Sequence, residues 1–190
     1  KICGISLEKS DKFNLFSELN LINKIDYHNV SDVRNFKTIQ GIIKEFQPEI
    51  IFHLAAQPLV KTSYIEPINT WETNVLGTVN ILESLKLIKN NCAAVLVTTD
   101  KVYKNKEQNK GYKEDDILGG HDPYSSSKAA AELAIESWRS SFFINNKRNV
   151  RIASARAGNV IGGGDWTESR LIPDIVSSII KKDICKIRNS

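Results

Sequence analysis

The sequence predicts a doubly wound α/β fold, a parallel sheet with helices on both faces. Three observations predict it. Short apolar runs suited to buried strands recur at 1–6, 49–54, 93–98 and 150–155. Between them stand segments whose apolar residues recur at spacings of three and four, the helical period. The 190 residues are 41% hydrophobic and 25% charged, ordinary for a chain that buries one core.

Taken in order, residues 1–6 form a first strand, and Lys24–His28 a possible second. Val33, Phe36, Ile39, Ile42, Ile43 and Phe46 make 32–47 an amphipathic helix, which Pro48 ends. Glu49–Leu54 is too continuously apolar for a half-exposed strand. A longer helix over 68–88 carries Trp71, Val75, Thr78, Val79, Leu82, Leu85 and Ile88 along one side. Ala93–Thr98 is the next strand, followed by a polar loop over 99–123, a length that marks function or irregularity. Ala129, Ala130, Leu133, Ala134 and Trp138 define a helix over 124–142. After the strand Val150–Ala155 come a glycine-rich loop, a helix over 172–182 and a last strand around 184–188.

Composition narrows the function classes. A net charge of +4 is too mild to point to nucleic acid, and no apolar run approaches the roughly 18 residues of a membrane span. Cys3, Cys92 and Cys185 are far apart, and His28, His53 and His121 are equally scattered. No metal-ligand spacing exists, so the thiols are expected to be reduced core residues of a cytoplasmic protein.

Parallel sheets collect ligands at the carboxyl ends of their strands. That singles out three segments: 53–63, 98–124 and 156–170. In Tyr124-Ser125-Ser126-Ser127-Lys128 the Tyr and Lys stand one turn apart on one helix face. There an ammonium stabilises a phenolate and makes a base of the Tyr. Five tyrosines and 19 lysines in 190 residues give about 0.5 such pairs by chance, so the spacing alone favours a surface pair, and it is the place of the pair at a helix start just after Pro123, behind the long loop, that points to a ligand. Thr98-Thr99-Asp100-Lys101 puts hydroxyl, carboxyl and ammonium groups at a strand end, a set suited to proton transfer or to a local turn. Gly158–Trp166 contains three successive glycines, fit for close backbone approach but matching neither common phosphate-loop pattern. His53-Leu54-Ala55-Ala56-Gln57 offers small residues against which a flat ligand or a helix could lie. The lysines of the long loop, Lys101, Lys104, Lys106, Lys110 and Lys113, are a solvated face or an attraction for an anion.

In this order the segments resemble the extended short-chain dehydrogenase/reductase superfamily of nucleotide-sugar enzymes. Within it, Thr98–Tyr103 (TTDKVY), Leu118–Lys128 (LGGHDPYSSSK), Ser154–Trp166 (SARAGNVIGGGDW) and Arg170–Asp174 (RLIPD) are most similar to the branch that dehydrates CDP-glucose. The resemblance implies a Rossmann-like fold, NAD as cofactor, CDP-glucose as substrate, and a homodimer or higher homo-oligomer packed through helices 68–88 and 124–142. It implies that Tyr124, helped by Lys128, takes the proton of the sugar's 4-hydroxyl while hydride leaves C4 for NAD⁺. The 4-ketone then acidifies C5, the 6-hydroxyl leaves as water, and the hydride returns at C6. Asp100 is implied as the acid for the departing hydroxyl, and Thr99 as the holder of the 4-oxygen. Asp32, Val33, Leu54, Ala55, Ala56, Thr98, Tyr124 and Lys128 match cofactor-binding positions, while Thr99, Asn159 and Arg170 match substrate positions. No metal is implied.

Lys101 departs from the related dTDP-glucose enzymes, which carry Glu beside the Asp. It supports the CDP branch and leaves the C5 base open, with a desolvated, neutral Lys101 as one candidate. Epimerases, dehydratases of other nucleotide sugars and a non-catalytic binding module are the competing readings. The family's first strand and glycine-rich turn are expected to precede Lys1, and most of its small carboxyl-terminal region to follow Ser190. Residues 1–190 are then most of an NAD-binding domain, with 157–190 beginning the substrate-binding region. The isolated piece is expected to bind NAD poorly and to be inactive.

Overall fold

A computed structural model describes residues 1–8, 14–107, 109–144, 149–167 and 169–185. The chain divides into two compact units, one of Lys1–Asn29 and Asn159–Ser190, the other of Val30–Gly158.

The second unit carries the core. Strands β3 (Ile50–His53), β4 (Cys92–Val97) and β5 (Val150–Ala155) form a parallel sheet in the order β3-β4-β5. The register pairs Ile50 with Ala93 and Cys92 with Val150. Alternation along these strands points Cys92, Ala94, Leu96, Val150 and Ile152 into the core. There they meet Ile39 and Ile43 of α2 (Phe36–Phe46), Ile81 and Leu82 of α5 (Gly77–Ser84), and Ala131 and Ile135 of α6 (Pro123–Trp138).

The parallel sheet with its covering helices is the α/β arrangement the sequence predicts. The opposite face exposes Ile50, Phe52, Ala93, Arg151 and Ala153 among the described residues. An apolar strand is thus compatible with a half-exposed one when its outward residues are also apolar.

The predicted helix over 68–88 is subdivided. It runs as α4 (Pro67–Trp71), a π-type turn (Glu72–Leu76), α5 and a 3₁₀ turn (Leu85–Leu87). A short helix that the pattern did not announce, α3 (Val60–Ile65), precedes it. Helix α6 likewise continues as a π-type turn through Ile144. The long polar loop starts with a 3₁₀ turn at Asp100–Val102 and is pinned by an antiparallel bridge between Tyr103 and Leu118.

In the first unit, β1 (Cys3–Ser6) pairs with β2 (Tyr27–Val30), and α1 (Leu15–Glu18) and α7 (Leu171–Lys181) are helical. Gly164 has φ +79, and a Cβ there would meet Leu15 at 2.7 Å, so this one glycine of the loop is required on two counts. The last predicted strand is not formed at Ile184 and Cys185, and its remainder lies outside the described residues.

Candidate active site

The site begins with the start of α6. Asp122 caps it, its carboxylate accepting from the Ser125 amide at 2.9 Å and from the Ser125 hydroxyl. Pro123 occupies the first turn, where its missing N–H costs nothing. Small residues Ser125, Ser127, Ala129 and Ala131 are buried and let the helix lie close to its neighbours. Tyr124 is half-buried in that first turn, and Lys128 follows one turn later.

Lys128 is 5% exposed, and its Nζ donates to the Val97 carbonyl at 2.9 Å, at the carboxyl end of β4. Burial pushes its ammonium down to about 8, opposed by the negative charge of Glu132. The following residues build the rest of the strand end. Thr98 and Thr99 are buried, while Asp100 and Lys101 are exposed. The Thr99 hydroxyl donates to Asp100 Oδ1 at 3.1 Å and accepts from the Lys101 amide at 3.4 Å. This is a local turn, and it also leaves the Asp100 carboxylate outward, beside Gly158. Amides of Thr98 and Asp100 donate to the carbonyls of Ala155 and Ala157, which ties the turn to the end of β5.

After β3, Leu54 is exposed and Ala55 and Ala56 are half-buried. Their position depends on Asn74, which is fully buried in the π-type turn. Asn74 accepts from the Gln57 amide at 2.8 Å, and its Nδ2 donates to the Gln57 carbonyl and to Ser127 Oγ at 2.9 Å. One amide side chain thus joins the loop after β3 to the helix of Tyr124 and Lys128. His53 is buried at the end of β3 and is pushed down to about 4 by burial, then by the charge of Lys128. Thr78 gives its hydroxyl proton to the Asn74 carbonyl at 2.7 Å, so it accepts from His53 Nε2 at 3.1 Å, which assigns the proton of the neutral ring to Nε2.

Asp32 and Val33 sit further along the same unit. Hydrogen bonds from Arg34 hold the Asp32 carboxyl below its usual range. Arg34 also donates to Asn69 Oδ1 at 2.7 Å, and Asn80 Nδ2 donates to the Val33 carbonyl at 2.9 Å. These bonds fix the Asp32–Arg34 segment to α4 and α5. Asn159 and Arg170 belong to the other unit. Asn159 is exposed, and Arg170 pairs with Asp165 at 3.3 Å just before α7.

The structure therefore brings Thr98, Thr99, Asp100 and Lys128 together, with Tyr124 one turn away. It also adds residues that sequence reasoning did not select: Asn74, Arg34, Glu132 and Arg156. Glu132 lies four residues beyond Lys128 on the same face, a spacing that signals a third polar group on a helix side otherwise filled by small residues. Among the described residues, no group of three or more His, Cys, Asp and Glu is placed to hold a metal ion.

Comparison with known proteins is consistent with this geometry. The family described as GDP-mannose 4,6 dehydratase matches residues 6–183. A CDP-glucose 4,6-dehydratase of Salmonella typhimurium is 47% identical over 98% of this chain and 52% of its own length. A CDP-paratose 2-epimerase of Salmonella typhi is 33% identical over 60% of this chain and 38% of its own length. Among solved structures, a dTDP-glucose 4,6-dehydratase from Bacillus anthracis in complex with NAD superposes with a TM-score of 0.77 at 25% identity. The match covers 97% of this chain and 54% of that one. The chain thus spans about half the length of the relatives it matches most extensively.

Proposed function

Because the chain belongs to the GDP-mannose 4,6 dehydratase family, we propose that the protein carrying it catalyses the NAD-dependent 4,6-dehydration of CDP-glucose to CDP-4-keto-6-deoxyglucose, a lyase reaction. The observation that carries this reading is the buried ammonium of Lys128, held against the end of β4 one helical turn from Tyr124 and next to the Thr99–Asp100 turn. The 47% identity to a CDP-glucose 4,6-dehydratase and the Asp100–Lys101 pair support the nucleotide assignment.

The residues present fit a dinucleotide. Ala55 and Ala56 give a flat, small-residue wall after β3, Lys128 gives a cation at the end of β4, and Asp32 gives an acceptor on a braced segment. Asp32, Val33, Leu54, Ala55, Ala56, Thr98, Tyr124 and Lys128 would hold the cofactor. When bound, NAD⁺ supplies a hydride acceptor for C4 and returns that hydride at C6, so no net oxidation results.

Tyr124 as phenolate takes the 4-hydroxyl proton, and the Lys128 charge lowers the cost of that phenolate. Thr99 holds the 4-oxygen, whose carbonyl character then loosens the C5 proton. Asp100, exposed at its turn, donates a proton to the departing 6-hydroxyl. Asn159 and Arg170 bind the substrate, Arg170 at its diphosphate, in the region that begins at 157–190.

A homodimer fits the same reading. Ile68, Trp71 and Leu76 along α4 and the π-type turn, and Leu133 on α6, are large apolar side chains exposed to solvent. Their burial against a second copy accounts for the pattern, and sedimentation of Trp71→Glu against the wild type tests it. Free cysteines and a nucleotide-sugar substrate support a cytoplasmic location. No helix among the described residues is long and apolar enough to cross a membrane.

The whole protein that carries this chain, incubated with NAD⁺ and CDP-glucose, should develop the absorbance of a 4-keto-6-deoxy sugar, and should prefer CDP-glucose to dTDP-glucose and GDP-mannose in competition. Tyr124→Phe should abolish turnover and leave NAD affinity largely intact. Normal rates in Tyr124→Phe would refute the assignment of the base.

A further inference from the structure

Glu132 is 5% exposed and nevertheless ionic. Burial pushes its carboxyl up, but hydrogen bonds from Arg156, Thr98 and Ser154 outweigh burial, and the group ends below its ordinary value. One carboxylate oxygen accepts from the Thr98 hydroxyl. The other accepts from Ser154 Oγ at 3.0 Å and from Arg156 Nη2 at 3.1 Å. Lys128 and Glu132, one turn apart on α6, thereby grip the consecutive residues Val97 and Thr98 at the end of β4. Glu132 grips β5 as well, through Ser154. Arg156 continues the network outward, lying over the Tyr103 ring at 4.9 Å and donating to the Glu114 carbonyl at 2.9 Å.

We propose that Glu132 is a positioning residue for the reaction: it anchors the helix of Tyr124 and Lys128 onto the ends of β4 and β5, and it sets a carboxylate one helical turn from the buried Lys128 ammonium. The consequence for turnover rests on the dehydratase reading, while the anchoring stands on these contacts and the charge effect on the one-turn spacing of the two side chains.

The groups around Lys128 decide the sign. His53 faces it from β3 as a neutral ring and adds no charge. Glu132 lies on its own helix and raises its proton affinity, while burial lowers it. Arg156, after β5, partly cancels Glu132. Tyr124 is one turn back on the helix, Asp100 and Lys101 stand exposed after β4, and on α5 and the π-type turn Glu83 and Glu72 are paired with Lys86 and Arg34.

Titration of the lysine side chains by isotope-edited NMR, with the Lys128 signal assigned through Lys128→Arg, measures this without substrate. Glu132→Gln should lower the Lys128 midpoint by about 0.5 pH unit or more, since a favourable charge is lost. The pH dependence of kcat should move with it. A merely structural role predicts the opposite, because loosening would hydrate Lys128 and raise its midpoint. An unchanged or raised midpoint in Glu132→Gln overturns the proposal. Glu132→Asp keeps the charge and should return the midpoint towards that of the wild type; a midpoint that stays with Glu132→Gln also overturns it. If Glu132→Gln does not fold, Arg156→Gln carries the test. Removing the competing cation should raise the midpoint with the amide-exchange protection of α6 unchanged; no change, a fall, or a rise accompanied by lost α6 protection overturns the proposal. Failure of the wild type to turn over CDP-glucose would sink the dehydratase reading and leave the titration result standing.

Discussion

Lys128 Nζ donates to the carbonyl oxygen of Val97 at 2.9 Å, so the ammonium of the YxxxK segment is held by backbone at the end of a core strand. The cost of burying it appears as a proton affinity lowered from 10.5 to about 8. Between those values the unfolded chain binds this proton and the folded one does not, so stability rises with pH across that window. The contribution is on the order of 3 kcal/mol. Lys128→Met fills the stem volume and removes the charge. It should lack that alkaline rise, melt no lower than the wild type at pH 7, and reduce turnover by about 100-fold or more. Urea titrations from pH 7.5 to 10.5 and steady-state rates check the two halves.

His53 has the opposite end of the pH scale. Its pKa falls from 6.5 to about 4 on burial, so the folded state binds fewer protons than the unfolded state between these values. Stability is therefore full above pH 6.5 and is lost as pH falls towards 4, by on the order of 3 kcal/mol from this group. His53→Asn should flatten that slope. Denaturant midpoints measured in 0.5-unit steps over about pH 4 to 7 compare the two proteins.

Asn74 has no exposed surface and serves the Gln57 amide, the Gln57 carbonyl and Ser127 Oγ together. Asn74→Leu leaves the half-buried Gln57 amide and carbonyl without this partner and removes one of the two hydrogen bonds of Ser127 Oγ, which keeps the Tyr124 carbonyl at 2.7 Å. It should cost about 2–5 kcal/mol, from penalties of about 1–3 kcal/mol per orphaned group. Equilibrium urea unfolding measures it, and a loss below about 1 kcal/mol would remove Asn74 as the link between the loop after β3 and α6.

Gly120 lies against the first turn of α6. A Cβ there would come within 2.4 Å of the Ser126 amide nitrogen and 2.5 Å of the Ser125 carbonyl carbon, backbone atoms that cannot rotate away. Gly120→Ala should therefore shift the 118–122 segment or the helix start. It should cost about 1–3 kcal/mol of stability and lower turnover more than it weakens NAD binding. Gly111→Ala, with nothing within 4 Å of the added carbon, is the matched control and should be near neutral.

Much of the site was legible because its signals are local. The Tyr124–Lys128 spacing spans one helical turn, and Asp122 with Pro123 announces the helix start. The Thr98–Asp100 cluster follows an apolar run that could only be a strand. What the pattern could not reveal involves residues far apart in the chain. Glu132 meets Thr98 across 34 residues and Ser154 across 22. Asn74 meets Ser127 across 53. A polar residue on a helix reads as a solvated one until the register of the neighbouring elements is known.

The sequence by itself determined the alternation of strands and helices, the parallel sheet, and which strand end and helix start are the candidates for chemistry. Periodicity, capping and turn residues act within a few positions, so they are written along the chain. Only the tertiary structure decided that Lys128 is buried against Val97 and that Glu132 is held by Thr98, Ser154 and Arg156. Those outcomes depend on strand register and on which buried polar groups find partners, and both are set by packing between segments that sequence spacing does not relate.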